Sequence, residues 1–294
     1  MSLVLCLQND SFLLAGEQED LHNRLEIIQE VAEHAKIAGD RVYYNQDIYN
    51  IQFEGVTLLC DWLYDTQTSR MRDEQRLLSL IINTSEEVDN NELQTFLTKI
   101  ESFEGSREFS FLCLYRTDES YYYIYDLEDL HVRRRIYLYD EDDKMAFLNA
   151  ARFCFPNLHF HEHVEKSLDT LSAPLREYNR EIIRHLSALN DQFPGIYREY
   201  KGRQLGEVLK VFSTTSEIAC TLEGDSDSAK RRFSFEFTKT SGGKIVLVCE
   251  PHTKLEGTGS SGDTKYRFDR IYFFQGEPSI HDGKILVAHI GEHL

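Results

Sequence analysis

The chain has 294 residues, with 50 acidic and 32 basic side chains and a formal net charge of −18 at pH 7. At roughly 150 residues per domain that length holds about two domains with cores of their own, and a hydrophobic content of 41% excludes wholesale disorder. No apolar run approaches the roughly 18 residues of a membrane span, and the opening Met1-Ser2-Leu3-Val4-Leu5-Cys6-Leu7-Gln8 lacks the basic segment of a secretory signal, so the expectation is a cytoplasmic protein with no membrane partner.

Residues 2–7 are apolar and bounded by Asn9-Asp10, which predicts a short buried strand. Leu21, Leu25, Ile28, Val31, Ala32 and Ala35 recur at helical spacing, with Gly39 as the stop. Residues 41–44 read as a second strand, and residues 56–64, 75–82 and 91–100 as helices. Residues 107–116 and 120–126 are rich in aromatic and β-favouring side chains. With Thr117-Asp118-Glu119 between them they predict a hairpin. Residues 133–139 read as another strand and 142–153 as a helix. Arg133-Arg134-Arg135 is a basic run in acidic surroundings, expected to pair with nearby carboxylates.

The charge is unevenly divided. Residues 1–150 hold 30 acidic and 13 basic side chains, and residues 151–294 hold 20 and 19. The polar stretch 167–174, which ends in Pro174, places a boundary near residue 170. Beyond it Tyr178, Ile182, Ile183, Leu186 and Leu189 form one helical stripe, and Leu205, Val208, Leu209 and Phe212 a second. The pattern then changes to strands over residues 232–238, 244–254, 267–274 and 284–290, with turns at Gly242-Gly243 and His281-Asp282-Gly283. The expected fold class is α+β: an acidic mixed α/β domain over 1–170, then a compact two-helix, four-stranded antiparallel domain over 171–294.

The six cysteines form no C-x-x-C pair, and most have apolar neighbours. They read as small buried hydrophobes in a reducing compartment. Gly257-Thr258-Gly259-Ser260-Ser261-Gly262 has dinucleotide-loop spacing, but a strand is expected after it where a helix is required, so it reads as an inter-strand loop. His159, His161 and His163 would share one face of a strand. Zinc is the functional reading of that run, and a surface strand or loop the ordinary one. No cofactor or metal is otherwise called for.

The C-terminal strands carry the chemistry. Glu250, His252 and Lys254 alternate toward one face, Arg270 lies on the next strand with Tyr272 on its face, and His289 and His293 end the last. Cleavage of RNA by its own 2′-hydroxyl needs such a set without a metal: a base for the 2′ proton, a cation for the phosphate charge, and an acid for the leaving 5′ oxygen.

From about residue 175 onward the chain resembles the bacterial RelE/YoeB-like endoribonuclease toxins. The resemblance rests on two helices followed by an antiparallel sheet, on Arg270-Ile271-Tyr272-Phe273, and on Ile285-Leu286-Val287-Ala288-His289-Ile290 leading to His293. It implies a metal-independent endoribonuclease, toxin-like or antiviral in character, acting on RNA either free or on the ribosome. Arg270 would clamp phosphate, His293 would be the acid, Glu250 or His252 the base, and Lys254 a second cation. The terminal tyrosine of such toxins is Leu294 here, and they lack the acidic first half. That half would gate the nuclease or bind a protein partner. Two other readings are a non-enzymatic acidic interaction protein or nucleic-acid mimic, and a Mg-dependent DNA nuclease built on Asp225 or Asp227, Glu236, Glu250 and Lys254.

Overall fold

The computed structural model describes residues 2–13, 20–54, 57–66, 71–101, 108–116, 122–223, 229–255 and 269–294. The chain is mixed α/β and divides into two compact units, Met1–Tyr137 and Leu138–Leu294. Residues 138–170, grouped by sequence with the first half, belong to the second unit. No helix of the described residues is long and apolar enough to cross a membrane.

In the first unit, β1 (Val4–Leu7) is paired in parallel on both sides, with β2 (Arg41–Asn45) and with β6 (Phe109–Leu112). The sheet continues to β5 (Glu86–Val88) at one edge and β7 (Tyr123–Ile124) at the other, again in parallel. A separate antiparallel ribbon joins β3 (Gln52–Glu54) and β4 (Thr57–Leu58). Parallel strands cannot be joined by tight turns, and helices lie in the connections from β1 to β2, β2 to β5 and β5 to β6. Leu3, Leu5 and Leu7 join the core with α1 (Leu21–Ile37), α2 (Leu59–Tyr64), α3 (Arg72–Asn83) and Leu130 of α5 (Leu127–Tyr137). Cys6 faces the other way, toward Phe109, Phe111 and the α4 (Asn90–Glu101) side chains Leu93, Phe96 and Leu97.

Two expected elements differ here. The segments predicted as a hairpin run parallel, as β6 and β7, and the Thr117-Asp118-Glu119 turn lies outside the described residues. The strand expected at 133–139 is mostly the end of helix α5. Its start is capped reciprocally: Asp129 N donates to Asp126 Oδ1 at 2.9 Å, and Tyr125 N donates to Asp129 Oδ2 at 3.0 Å. Gly39, at φ +84°, ends α1 and turns the chain so that Asp40 is buried. Asp40 Oδ1 then accepts from Leu3 N at 2.9 Å while its Oδ2 pairs with Arg134. Arg133 donates to Ser110 Oγ and the Phe109 carbonyl. The basic run thus ties α5 to β6 and to the α1–β2 turn from inside.

In the second unit a five-stranded sheet has the order β8 (Leu158–Phe160), β14 (Ile285–Gly291), β13 (Arg270–Phe274), β12 (His252–Lys254), β9 (Cys220–Thr221). All pairings are antiparallel except β8 with β14. The expected four-stranded sheet is corrected in two ways. β8 comes from the segment assigned to the first half. The expected strand 244–254 is broken at Cys249-Glu250-Pro251, where proline has no N–H for a ladder. Its first part, β11 (Lys244–Val248), pairs with β10 (Ser234–Thr238) as a separate hairpin.

The helices α6 (Lys144–Cys154), α8 (Leu175–Asp191), α9 (Phe193–Glu199) and α10 (Leu205–Ser216) pack against one sheet face through Ile271, Phe273, Val287 and Ile290. α7 (His163–Ser167) lies against β14. Arg270 and Tyr272 alternate with Ile271 and Phe273, so they occupy the face away from that core. There the hairpin contributes Phe235, Phe237 and Leu247 to a smaller apolar cluster with Leu286 and Ala288.

Candidate active site

The polar face is built by register. His252 stands opposite Thr221 on one side and Tyr272 on the other, Lys254 opposite Arg270, and Tyr272 opposite His289. Glu223, two residues beyond Thr221, reaches into the middle of this row. One carboxylate oxygen, Oε1, pairs with the Arg270 guanidinium and accepts from the Tyr272 hydroxyl at 2.9 Å. The other, Oε2, lies 3.3 Å from Nε2 of His293. Glu223 and Arg270 side chains are 10% and 3% exposed, against 18% for His293, so the imidazole is the member of the trio nearest solvent.

In a buried pair of this kind each group supplies the counter-charge that the other needs away from water. Burial draws the Arg270 guanidinium down from its usual value, and the neighbouring Tyr272 raises it in part. A carboxylate only accepts hydrogen bonds, so Nε2 of His293 is the donor toward Glu223 and Nδ1 is the ring's basic nitrogen.

His252 is 1% exposed. Its Nδ1 faces the Glu250 carbonyl oxygen at 3.3 Å and Glu223 Oε1 at 3.4 Å, while Thr221 Oγ1 lies 3.2 Å from Nε2. Both oxygens before Nδ1 only accept, so Nδ1 carries the proton and the threonine hydroxyl donates to Nε2. Burial pushes this imidazole down to about 4, partly opposed by the hydrogen bond to Glu250, and Lys254 lowers it further. It is therefore neutral near pH 7.

The tail that delivers His293 is held by its backbone. Glu292 N donates to Thr170 Oγ1 at 3.0 Å, and Glu292 O accepts from His289 Nε2 at 2.8 Å. His289 is 2% exposed and pushed down to about 4, chiefly by burial. With its proton on Nε2, its Nδ1 accepts from His163 Nε2 at 3.4 Å, and the two rings stack with centroids 5.6 Å apart. Gly291 permits the approach: a Cβ there would collide with Ser167 O and Thr170 Oγ1.

Of the five residues expected at the site, His252, Arg270 and His293 converge, and Glu223 joins them. Lys254 is half-buried on the same face, opposite Arg270. Glu250 lies in the break before β12 and meets His252 through its carbonyl. Glu223 carries little signal in the sequence, since it follows a two-residue strand and precedes Gly224. His159, His161 and His163 do not face a common point. His159 stacks on His281 at 3.9 Å, His161 Nε2 donates to Glu236 O at 3.0 Å, and His163 turns to His289. Among the described residues no group of three His, Cys, Asp or Glu side chains is arranged to hold a metal ion. Asp225, Asp227 and the 257–262 glycine loop lie outside those residues, and Glu236 is exposed and pairs with Lys244.

Comparison with protein-family models, with curated proteins and with solved structures finds no match. The chemistry of the site therefore rests on its own geometry. A hydroxyl–imidazole–carboxylate series also exists on the opposite sheet face, where Thr253 Oγ1 lies 2.8 Å from His185 Nδ1 and Glu181 Oε1 3.0 Å from Nε2. Thr253 is 0% exposed, so its hydroxyl is walled off from any substrate and the series serves to dock α8 on the sheet.

Proposed function

We propose that the second unit is a metal-independent endoribonuclease in which His293 is the acid–base group. The observation that carries this reading is the carboxylate of Glu223, held on one oxygen by Arg270 and Tyr272 and presenting the other to His293. An imidazole oriented through one nitrogen by a fixed carboxylate is a base at the other nitrogen. Nδ1 of His293 takes the proton of an RNA 2′-hydroxyl. The 2′ oxygen bonds to phosphorus, and the bond from phosphorus to the 5′ oxygen breaks. Lys254 stabilises the phosphate charge and donates a proton to the departing 5′ oxygen. The products are a 2′,3′-cyclic phosphate and a 5′-hydroxyl.

The roles differ from those implied by the resemblance to RelE/YoeB-like toxins. Arg270 holds Glu223 instead of clamping phosphate, because its guanidinium is buried and already ion-paired. His252 is a neutral strut between Thr221 and Glu250. The acidic first unit would serve as the recognition or gating element, for a basic partner. The test is incubation of the full chain with RNA in excess EDTA, with the new ends identified chemically. Cyclic phosphate and 5′-hydroxyl ends are expected. 5′-phosphate ends, or cleavage that appears only with added Mg²⁺, would contradict the proposal and favour metal-assisted hydrolysis.

A further inference from the structure

We infer that the turn Lys230-Arg231-Arg232 is the surface that grips the phosphates of single-stranded RNA beside the scissile bond. This deepens the ribonuclease reading and rests on it for the choice of RNA. The turn is a short 3-10 segment, Ala229–Phe233, immediately before β10. It is anchored at three points. The Phe233 ring is fully buried and stacks on Tyr272, with centroids 5.4 Å apart and planes 23° from parallel. The Phe233 carbonyl accepts from Cys249 N at 2.7 Å, and Ser234 Oγ donates to the Lys230 carbonyl at 3.0 Å. Tyr272 is the residue whose hydroxyl bonds Glu223. The aromatic stack therefore fixes the basic turn directly against the site's own scaffold.

Arg231 and Arg232 are exposed. Consecutive cations on a rigid turn suit a polyanion whose charges recur along a chain, and guanidinium groups match phosphate oxygens in geometry. Lys254 on the sheet would meet the scissile phosphate, and the turn its neighbours. Such contacts release condensed counter-ions and are read from the salt dependence of binding, about 0.7 in log–log slope per phosphate neutralised on a single strand.

The experiment measures binding of a single-stranded 2′-O-methyl RNA to the full chain over a range of salt. That RNA has no 2′-hydroxyl to attack, so binding is read whether or not the protein cleaves. The double variant Arg231→Ala/Arg232→Ala is expected to flatten the slope by about 1.4, two contacts' worth, and to weaken binding. A charge-matched control, Lys201→Ala/Lys210→Ala on the helical side, is expected to keep the wild-type slope. The inference is overturned if wild type does not bind, if the arginine variant keeps its slope, if the control loses as much, or if polyglutamate competes as well as RNA does. Failure of the nuclease reading alone looks different: the slope changes as expected and no RNA is cut.

Discussion

Arg270→Met is expected to destabilise the second unit by about 3–5 kcal/mol, because it leaves the Glu223 carboxylate buried without its counter-charge. The carboxylate would be left facing the Tyr272 hydroxyl and the rings of His252 and His293, without the guanidinium. The double variant Glu223→Leu/Arg270→Met removes both charges and is expected to regain most of that loss, since well-packed apolar replacements of a buried pair are often neutral or better. Denaturant unfolding of the wild type, the two single variants and the double variant gives the coupling directly. A cost below about 1 kcal/mol for Arg270→Met is the value of an exposed pair and would mean that Arg270 is not committed to Glu223. Arg270 as a positioning residue has a second signature. In wild type the His293 proton should sit on Nε2, which ring ¹⁵N shifts report, and that preference should be lost in Arg270→Met.

The second large effect is acid sensitivity. His252 and His289 are both pushed down to about 4 by burial. An unfolded histidine titrates near 6.5. A folded value below the unfolded one means that unfolding takes up protons. The contribution is fully present above about pH 6.5 and is lost as pH falls toward about 4. Midway, each ring is almost wholly charged when unfolded and neutral when folded, so the pair contributes a gradient of about 2.5 kcal/mol per pH unit. His159, also pushed down to about 4 and partly buried, adds in the same direction. Hydrogen exchange of the β13 and β14 amides should show protection falling steeply through this window. A flat profile would mean that these rings are solvated or already charged. Protonation of His289 would also charge the ring that holds Glu292 O and faces His163, so the tail carrying His293 loosens in the same range.

The readable parts of the fold were those with strong periodicity. The α1 stripe from Leu21 to Ala35 and the α8 stripe from Tyr178 to Leu189 bury the side chains their spacing predicts. The alternation of Phe233, Phe235 and Phe237 predicts the hairpin strand that faces the core. Partner choice was not readable. Residues 109–112 and 123–124 are short and aromatic, and nothing local in them distinguishes a direct parallel pair from a hairpin. Residues 133–139 contain the strand-favouring Ile136, Tyr137 and Tyr139, but the Asp126–Asp129 cap starts a helix that runs on to Tyr137. The boundary near residue 170 follows the polar stretch 167–174 and the end of the acidic excess, both of which are surface properties. The break that matters is in the core, at Tyr137 and Leu138.

The site was partly legible for a physical reason. Strand parity puts Lys254, Arg270, Tyr272 and His252 on one face once the strands are located, and parity can be read from sequence. It fails where the strand ends. Glu250 lies in the break before β12, so the alternation that grouped it with His252 does not extend to it. Glu223 follows β9, whose two residues leave no pattern, and its place at the centre depends on the pairing of β9 with β12 that only the folded chain displays.

The most direct measurement is the turnover of a short RNA with a single cleavable phosphodiester in EDTA, by wild type, His293→Ala and Glu223→Gln, each checked for native hydrogen exchange in β13 and β14. Loss of a general acid–base group should lower kcat/KM by roughly 10²–10⁴-fold in His293→Ala, with Glu223→Gln also impaired because the amide no longer fixes the ring by accepting alone. Equal turnover by all three proteins would contradict the account, as would a wild type that leaves the RNA intact.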